Sequence, residues 1–238
     1  MYWNSFHMNS FSRYAVYFSP PEESDLFKFA SSWLGWDAQN AKKILHPNFK
    51  DLVFDITELI KKQSCYGFHG TLKPPFALAE TKNANELKAA ILELSQSTRK
   101  FEIPAVSLQL LNGFAAIVAT NENNEIKNLA KKCVQELDIF RQPESLEKAQ
   151  KRRLVGLSQY EEFNLQRWGY PYVMDSFRFH LTLTRRLNTK ESKNVMEVLA
   201  SELTEILNTA LPVRDICLFG ESDTSGNFQI IQRFPLLD

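Results

Sequence analysis

The chain carries no surplus charge of either sign. Its 238 residues hold 28 basic and 28 acidic side chains, with a sequence pI near 6.9. A broadly basic surface that coats nucleic acid is therefore excluded, while a local basic cleft stays open. Cysteine is rare and odd in number. Cys65, Cys133 and Cys217 have no paired spacing, so neither a zinc site nor a disulfide framework is expected. Free thiols suit a reducing compartment, and the expected location is the cytoplasm. No apolar run is long enough to cross a bilayer, and no membrane partner is expected. The opening MYWNSFHMNSF has neither a basic start nor an apolar centre, and does not read as a secretory signal. Met8 is an alternative start; residues 1–12 would then be a tail and His7 would have no role. Hydrophobic residues make up 44% of the chain, the usual share for a soluble globular protein.

Histidine is also scarce, with four in all, and two of them stand in matching stretches. Residues 66–75 read YGFHGTLKPP and residues 177–186 read FRFHLTLTRR. Each contains Phe-His-x-Thr-Leu in a short segment rich in β-formers, and both are predicted strands. Side chains two apart on a strand share a face. His69 and Thr71 then point one way, and so do His180 and Thr182. By the same parity Lys73 joins the first pair and Arg178 the second. The other two histidines offer less: His46 precedes Pro47 with no visible partner.

The rest of the chain repeats an order. RYAVYFSPP, residues 13–21, reads as a strand stopped by prolines. Leu26, Phe29, Ala30, Trp33 and Leu34 give residues 22–36 a helical stripe, and a short helix is predicted over 55–62. After the first His strand come a helix over 84–98 and a hairpin, 101–111 and 113–120, around Asn112-Gly113. A further helix covers 122–140. After the second His strand come a helix over 190–208 and strands over 211–219 and 226–234. The order His strand, helix, strand, strand thus occurs twice. We expect an α+β fold in one duplicated, bilobal domain over 13–238. Two small antiparallel sheets with flanking helices, built around 66–120 and 176–236, would enclose a central cleft. The charged, helix-prone stretch 142–168 would bridge them.

Two imidazoles and two hydroxyls converging on one anion suit phosphoester chemistry. Histidine titrates near neutral pH, so one ring can take a proton from a nucleophile while another gives one to the leaving oxygen. Threonine hydroxyls can donate to the non-bridging oxygens where charge accumulates. Lys73 and Arg178 would hold the anion. Two histidines without a carboxylate or thiol at ligand spacing leave a zinc coordination sphere incomplete, so neither metal nor cofactor is expected.

These paired motifs resemble the two-histidine phosphoesterase superfamily, which includes the LigT-like RNA ligase and cyclic phosphodiesterase proteins. The likeness is nearest to an uncharacterised branch associated with phosphonate metabolism. RYAVYFSPP, SSWLGWD (31–37), YGFHGTLKPPF (66–76), the KRR at 151–153 and WGYPYVMDSFRFHLTLT (168–184) carry it, and it spans about Arg13 to Phe234. The resemblance implies a two-lobed fold with one HxT motif per lobe. It also implies metal-independent cleavage of a cyclic phosphodiester, such as a ribose cyclic phosphate or a 2′,3′-cyclic nucleotide. FRQPESLEKAQKRR departs from the Ala- and Leu-rich run expected there, which leaves Arg152 and Arg153 without an assigned role. Tyr66, Tyr170 and Tyr172 flank the motifs and could stack on a base or bond a phosphate. The expected partner is a small phosphate ester or an RNA terminus, taken by a monomer. A binding protein that holds such a ligand without turnover is the alternative.

Overall fold

A computed structural model describes residues 10–238. His7 and the alternative start at Met8 lie outside the described residues. The chain begins with β1 (Phe11–Phe18) and α1 (Asp25–Leu34), which is capped by Ser24 and closed by Gly35 in the left-handed region. Strand β1 therefore opens inside the stretch expected as a tail. A two-residue ladder follows, β2 (Trp36–Asp37) with β3 (Lys42–Lys43), then α2 (Ile56–Ile60) and the first His strand, β4 (Gly70–Phe76). Next come α3 (Ala84–Gln96), β5 (Phe101–Ile103), and the hairpin β6 (Val106–Leu111) and β7 (Phe114–Ala119). Its turn places Asn112 and Gly113 at φ 49° and 86°, the mirror-image turn that Asn-Gly favours. Helix α4 (Asn124–Glu136) leads to α5 (Leu146–Arg153) and α6 (Gln159–Trp168), which form the stretch expected as a bridge. The second His strand, β8 (His180–Arg186), precedes α7 (Thr189–Leu203), β9 (Leu211–Val213), β10 (Asp215–Ser222) and β11 (Phe228–Pro235).

Seven strands form one sheet in the order β11-β10-β1-β4-β8-β7-β6, and each neighbouring pair is antiparallel. The two halves expected as separate sheets meet at β4 and β8, where a single pair, Gly70 opposite Leu181, joins them. The hairpins are exchanged relative to chain order. The hairpin following the first His strand, β6-β7, pairs with β8, and β10-β11, following the second, pairs with β1. Each half-sheet thus combines a His strand from one repeat with the hairpin of the other.

One face of the sheet is covered by α1, α3, α4 and α7. Trp33, Leu87, Ile91, Leu129, Cys133, Val195 and Leu199 all bury there against Val16, Leu72, Ile117 and Leu181. Trp33 also donates its indole N–H to the Leu183 carbonyl (2.9 Å), tying α1 to the second His strand. The opposite face carries a smaller apolar cluster of Tyr17, Trp36, Phe219 and Phe228, and beside it an open cleft.

Candidate active site

The sheet register builds the site. With Gly70 opposite Leu181 on antiparallel strands, His69 lies opposite Thr182 and Thr71 opposite His180. Leu181 faces the helix layer and is fully buried, and a Cβ on Gly70 would fall 2.8 Å from the Phe179 ring on that side. The four flanking side chains therefore project from the other face, where they line one cleft of about 930 Å³. Cross-strand neighbours stand roughly 4.5–5.5 Å apart at Cβ and diagonal ones about 7–8 Å. The result is a square with histidines on one diagonal and threonines on the other.

Both imidazoles are oriented in the same way. His69 Nδ1 donates to the Gly67 carbonyl (2.9 Å), and His180 Nδ1 donates to the Arg178 carbonyl (2.7 Å). A carbonyl can only accept, so each Nδ1 carries the proton and each Nε2 is left for the cleft. Gly67 adopts φ 69°, and a Cβ there would meet the Ala38 methyl at 2.6 Å. The carbonyl that orients His69 thus belongs to a position only glycine fills well. The surroundings of the rings differ. His69 stacks on Tyr17 at 3.8 Å between centroids, and burial, reinforced by the nearby His180, lowers its pKa to about 4. Burial likewise holds the Tyr17 hydroxyl well above its ordinary value.

Of the expected anion-holding and aromatic residues, Tyr66, Tyr170, Tyr172 and Arg178 line the cleft. Tyr66 stacks on Phe228 (5.1 Å), and Tyr170 packs edge-on to Tyr172 (5.7 Å). Lys73 does not join them. Between β1 and β4 the register slips: Tyr17 pairs with Thr71, and the next β1 residue, Val16, pairs with Lys73. One residue of β1 is matched by two of β4, a bulge that reverses parity beyond Thr71. Lys73 turns to the helix side, where its side chain is 2% exposed; Nζ lies 3.3 Å from the Val134 carbonyl and 3.6 Å from Asp138. Desolvation lowers its pKa to about 8 although Asp138 opposes the shift. His46, outside the motifs, bonds the Ser32 carbonyl (3.1 Å) and packs on the turn that ends α1.

Arg13, Tyr17 and Arg186 also line the cleft and did not emerge from the sequence. A signal for the first two existed: in RYAVYF, Arg13, Ala15 and Tyr17 alternate on one face of β1. Arg152 lines the cleft too, bonded to Glu144 through Nε and Nη2 (3.0 and 2.9 Å) and lying 4.8 Å from the Tyr170 ring. Arg153 instead bonds Glu162 on α6 and stays outside. Among the described residues no three His, Cys, Asp or Glu side chains gather as a metal cluster, and no helix is long and apolar enough to cross a membrane.

Several solved structures are similar to this chain over nearly its full length. Escherichia coli LigT complexed with 3′-AMP has 14% identity and a TM-score of 0.41, with 95% of this chain and 98% of that one covered. LigT in apo form has 12% identity and a TM-score of 0.44, covering 96% and 99%. Among curated proteins, a ribose 1,5-bisphosphate phosphokinase PhnN of Janthinobacterium sp. (strain Marseille) is 34% identical over 179 residues, 75% of this chain and 40% of that protein. One of the same name from Laribacter hongkongensis (strain HLHK9) is 30% identical over 225 residues, 94% of this chain and 52% of that protein. The chain thus spans about half the length of these relatives, or less. A family model matches residues 71–229, which include Thr71 and the whole second motif, and by that match the chain belongs to the family described as a protein of unknown function, DUF1045.

Proposed function

We propose that the protein is a phosphoesterase that opens a cyclic phosphodiester without a metal. The observation that carries this reading is the square of His69, Thr182, His180 and Thr71 in one cleft, with each imidazole held by its own backbone and presenting Nε2. His69, kept neutral by burial, acts as the base. It takes a proton from water, the water oxygen bonds to phosphorus, and the bond from phosphorus to one ring oxygen breaks. Protonated His180 supplies the proton which that oxygen needs to leave as a hydroxyl, and the product is a phosphomonoester. The excess proton returns from His69 to His180 through solvent before the next turnover. Thr71 and Thr182 donate hydrogen bonds to the non-bridging oxygens as charge builds there.

The walls of the cleft and the names of the relatives support a phosphorylated ribose as the substrate class. Tyr66 and Tyr170 give the cleft amphipathic walls, and the curated relatives are named for a kinase of ribose 1,5-bisphosphate. Hydrolysis of a 1,2-cyclic phosphate on ribose 5-phosphate, with the bond to O2 breaking, yields that bisphosphate. The kinase activity itself finds no support in this stretch: none of its eight glycines stands in the G-x-x-x-x-G-K spacing of a phosphate-cradling loop.

The test is an assay of ribose cyclic phosphates and 2′,3′-cyclic nucleotides in EDTA, followed by phosphorus NMR. Turnover by the wild type is expected, with His69→Ala and His180→Ala each slower by about 100- to 10,000-fold. Binding without product would favour a ligand-holding protein instead, and loss of activity on chelation would rule out the metal-free mechanism.

A further inference from the structure

A second cavity of about 320 Å³ adjoins the cleft and shares Arg13, Pro74, Pro75 and Arg152 with it. Its charge is at odds with the neutral chain. Arg13, Lys73, Arg141, Lys148 and Arg152 line it, against the single carboxylate of Glu144. The half-buried anion beside it is oversubscribed, since Asp138 lies within 4 Å of Lys73 (3.6 Å), Arg141 (2.8 Å) and Arg167 (3.4 Å). At the junction of the two cavities stand Arg13 and Arg152. Each is fixed by a two-pronged carboxylate bond on one edge: Arg13 by Glu221 (2.6 and 2.7 Å), Arg152 by Glu144 (3.0 and 2.9 Å). These bonds use Nε and Nη2 of each guanidinium; Arg13 also reaches the Tyr66 side chain, and among the described residues Nη1 of Arg152 has no hydrogen bond. Two forks locked in place, Arg152 with a spare Nη1 donor, on a wall shared by the cleft and a cationic side cavity, form a preorganised anion seat.

We infer that the side cavity receives a second phosphate of the substrate, a terminal phosphomonoester held by Arg13 and Arg152 while the cyclic diester lies between the histidines. The inference rests on the phosphoesterase reading for its substrate class, and it gives Arg152, set apart from its neighbour Arg153, a binding role. A phosphomonoester presents three oxygens and nearly two charges near neutral pH, a match for several donors that an uncharged hydroxyl cannot offer. Lys148, exposed on α5 and in no ion pair among the described residues, adds a solvent-facing cation at the rim.

Two measurements test it. Adenosine 2′,3′-cyclic phosphate is compared with the same compound bearing a 5′-phosphate. For the wild type, kcat/KM should be higher for the phosphorylated compound by about tenfold or more, the worth of one charge-assisted bond. That preference should collapse in Arg152→Gln and shrink in Lys148→Gln, which alters only an exposed side chain. A preference that is absent from the wild type, or that survives in Arg152→Gln, overturns the inference. Separately, calorimetry with ribose 5-phosphate, which has no cyclic bond, should give binding that persists in the His69→Ala/His180→Ala double variant and weakens about tenfold in Arg152→Gln. Equal affinity in wild type and Arg152→Gln overturns it as well. Calorimetry that follows Arg152, with no turnover of either nucleotide, would uphold the side cavity and refute the phosphoesterase reading; turnover without preference would do the reverse.

Discussion

His69 and His180 make the same bond to their own backbone, yet only His69 lies under an aromatic ring. Burial, reinforced by the nearby His180, holds its pKa at about 4, below the ordinary value of about 6.5. Between those two values the unfolded chain binds a proton that the folded chain refuses. Stability therefore rises with pH across this window: it is intact above about pH 6.5 and falls progressively toward pH 4. Urea midpoints measured from pH 7 to pH 4 should decline in the wild type and decline less in His69→Gln; equal slopes would show that His69 is not held neutral. That His69, Thr71, His180 and Thr182 share one cleft was legible in the sequence because HxT was written twice and strand parity keeps i and i+2 on one face. Lys73 was misplaced by the same rule. A bulge leaves no mark on periodicity, and Lys73 reads as a third alternating residue until β1 is laid beside it.

At the scale of elements, the contact between β4 and β8 narrows to Gly70 and Leu181, and the Phe179 ring fills the space where a side chain on Gly70 would go. Gly70→Val should lower stability by about 1–3 kcal/mol, the usual cost of overpacking a filled core. It should also lower turnover, because the two motifs lose their common register. Urea denaturation and an activity assay together check this; a stable variant of full activity would show that the two strands are not held by close approach at Gly70. The helices and strands themselves were mostly legible. Ser24, Asp55, Asn83, Asn123, Ser158 and Asn188 cap α1, α2, α3, α4, α6 and α7 with side-chain oxygens. The ends were less so: β10 was expected to start at 211, but Arg214 separates it from β9, which pairs with β5 on its own.

For the whole molecule, the sequence repeat gave two lobes in chain order, whereas the strands cross over between them. Periodicity reports which face of a strand is apolar and is silent on which neighbour that strand will choose. Because each half-sheet takes strands from both repeats, neither half of the chain holds a complete sheet. Unfolding in urea should therefore be a single transition, coincident by tryptophan fluorescence and far-ultraviolet circular dichroism. Two separated transitions would mean that the halves are independent. The antiparallel crossing of the two HxT motifs also has a stereochemical corollary. Rotating the square by half a turn exchanges each histidine with the other and each threonine with the other, so under the phosphoesterase reading these groups in equal surroundings would be indifferent to which of two ester oxygens departs. Under the phosphoesterase reading, regiochemistry is imposed by what breaks that dyad: the burial of His69 under Tyr17, which sets base and acid apart, fixes which ester oxygen leaves.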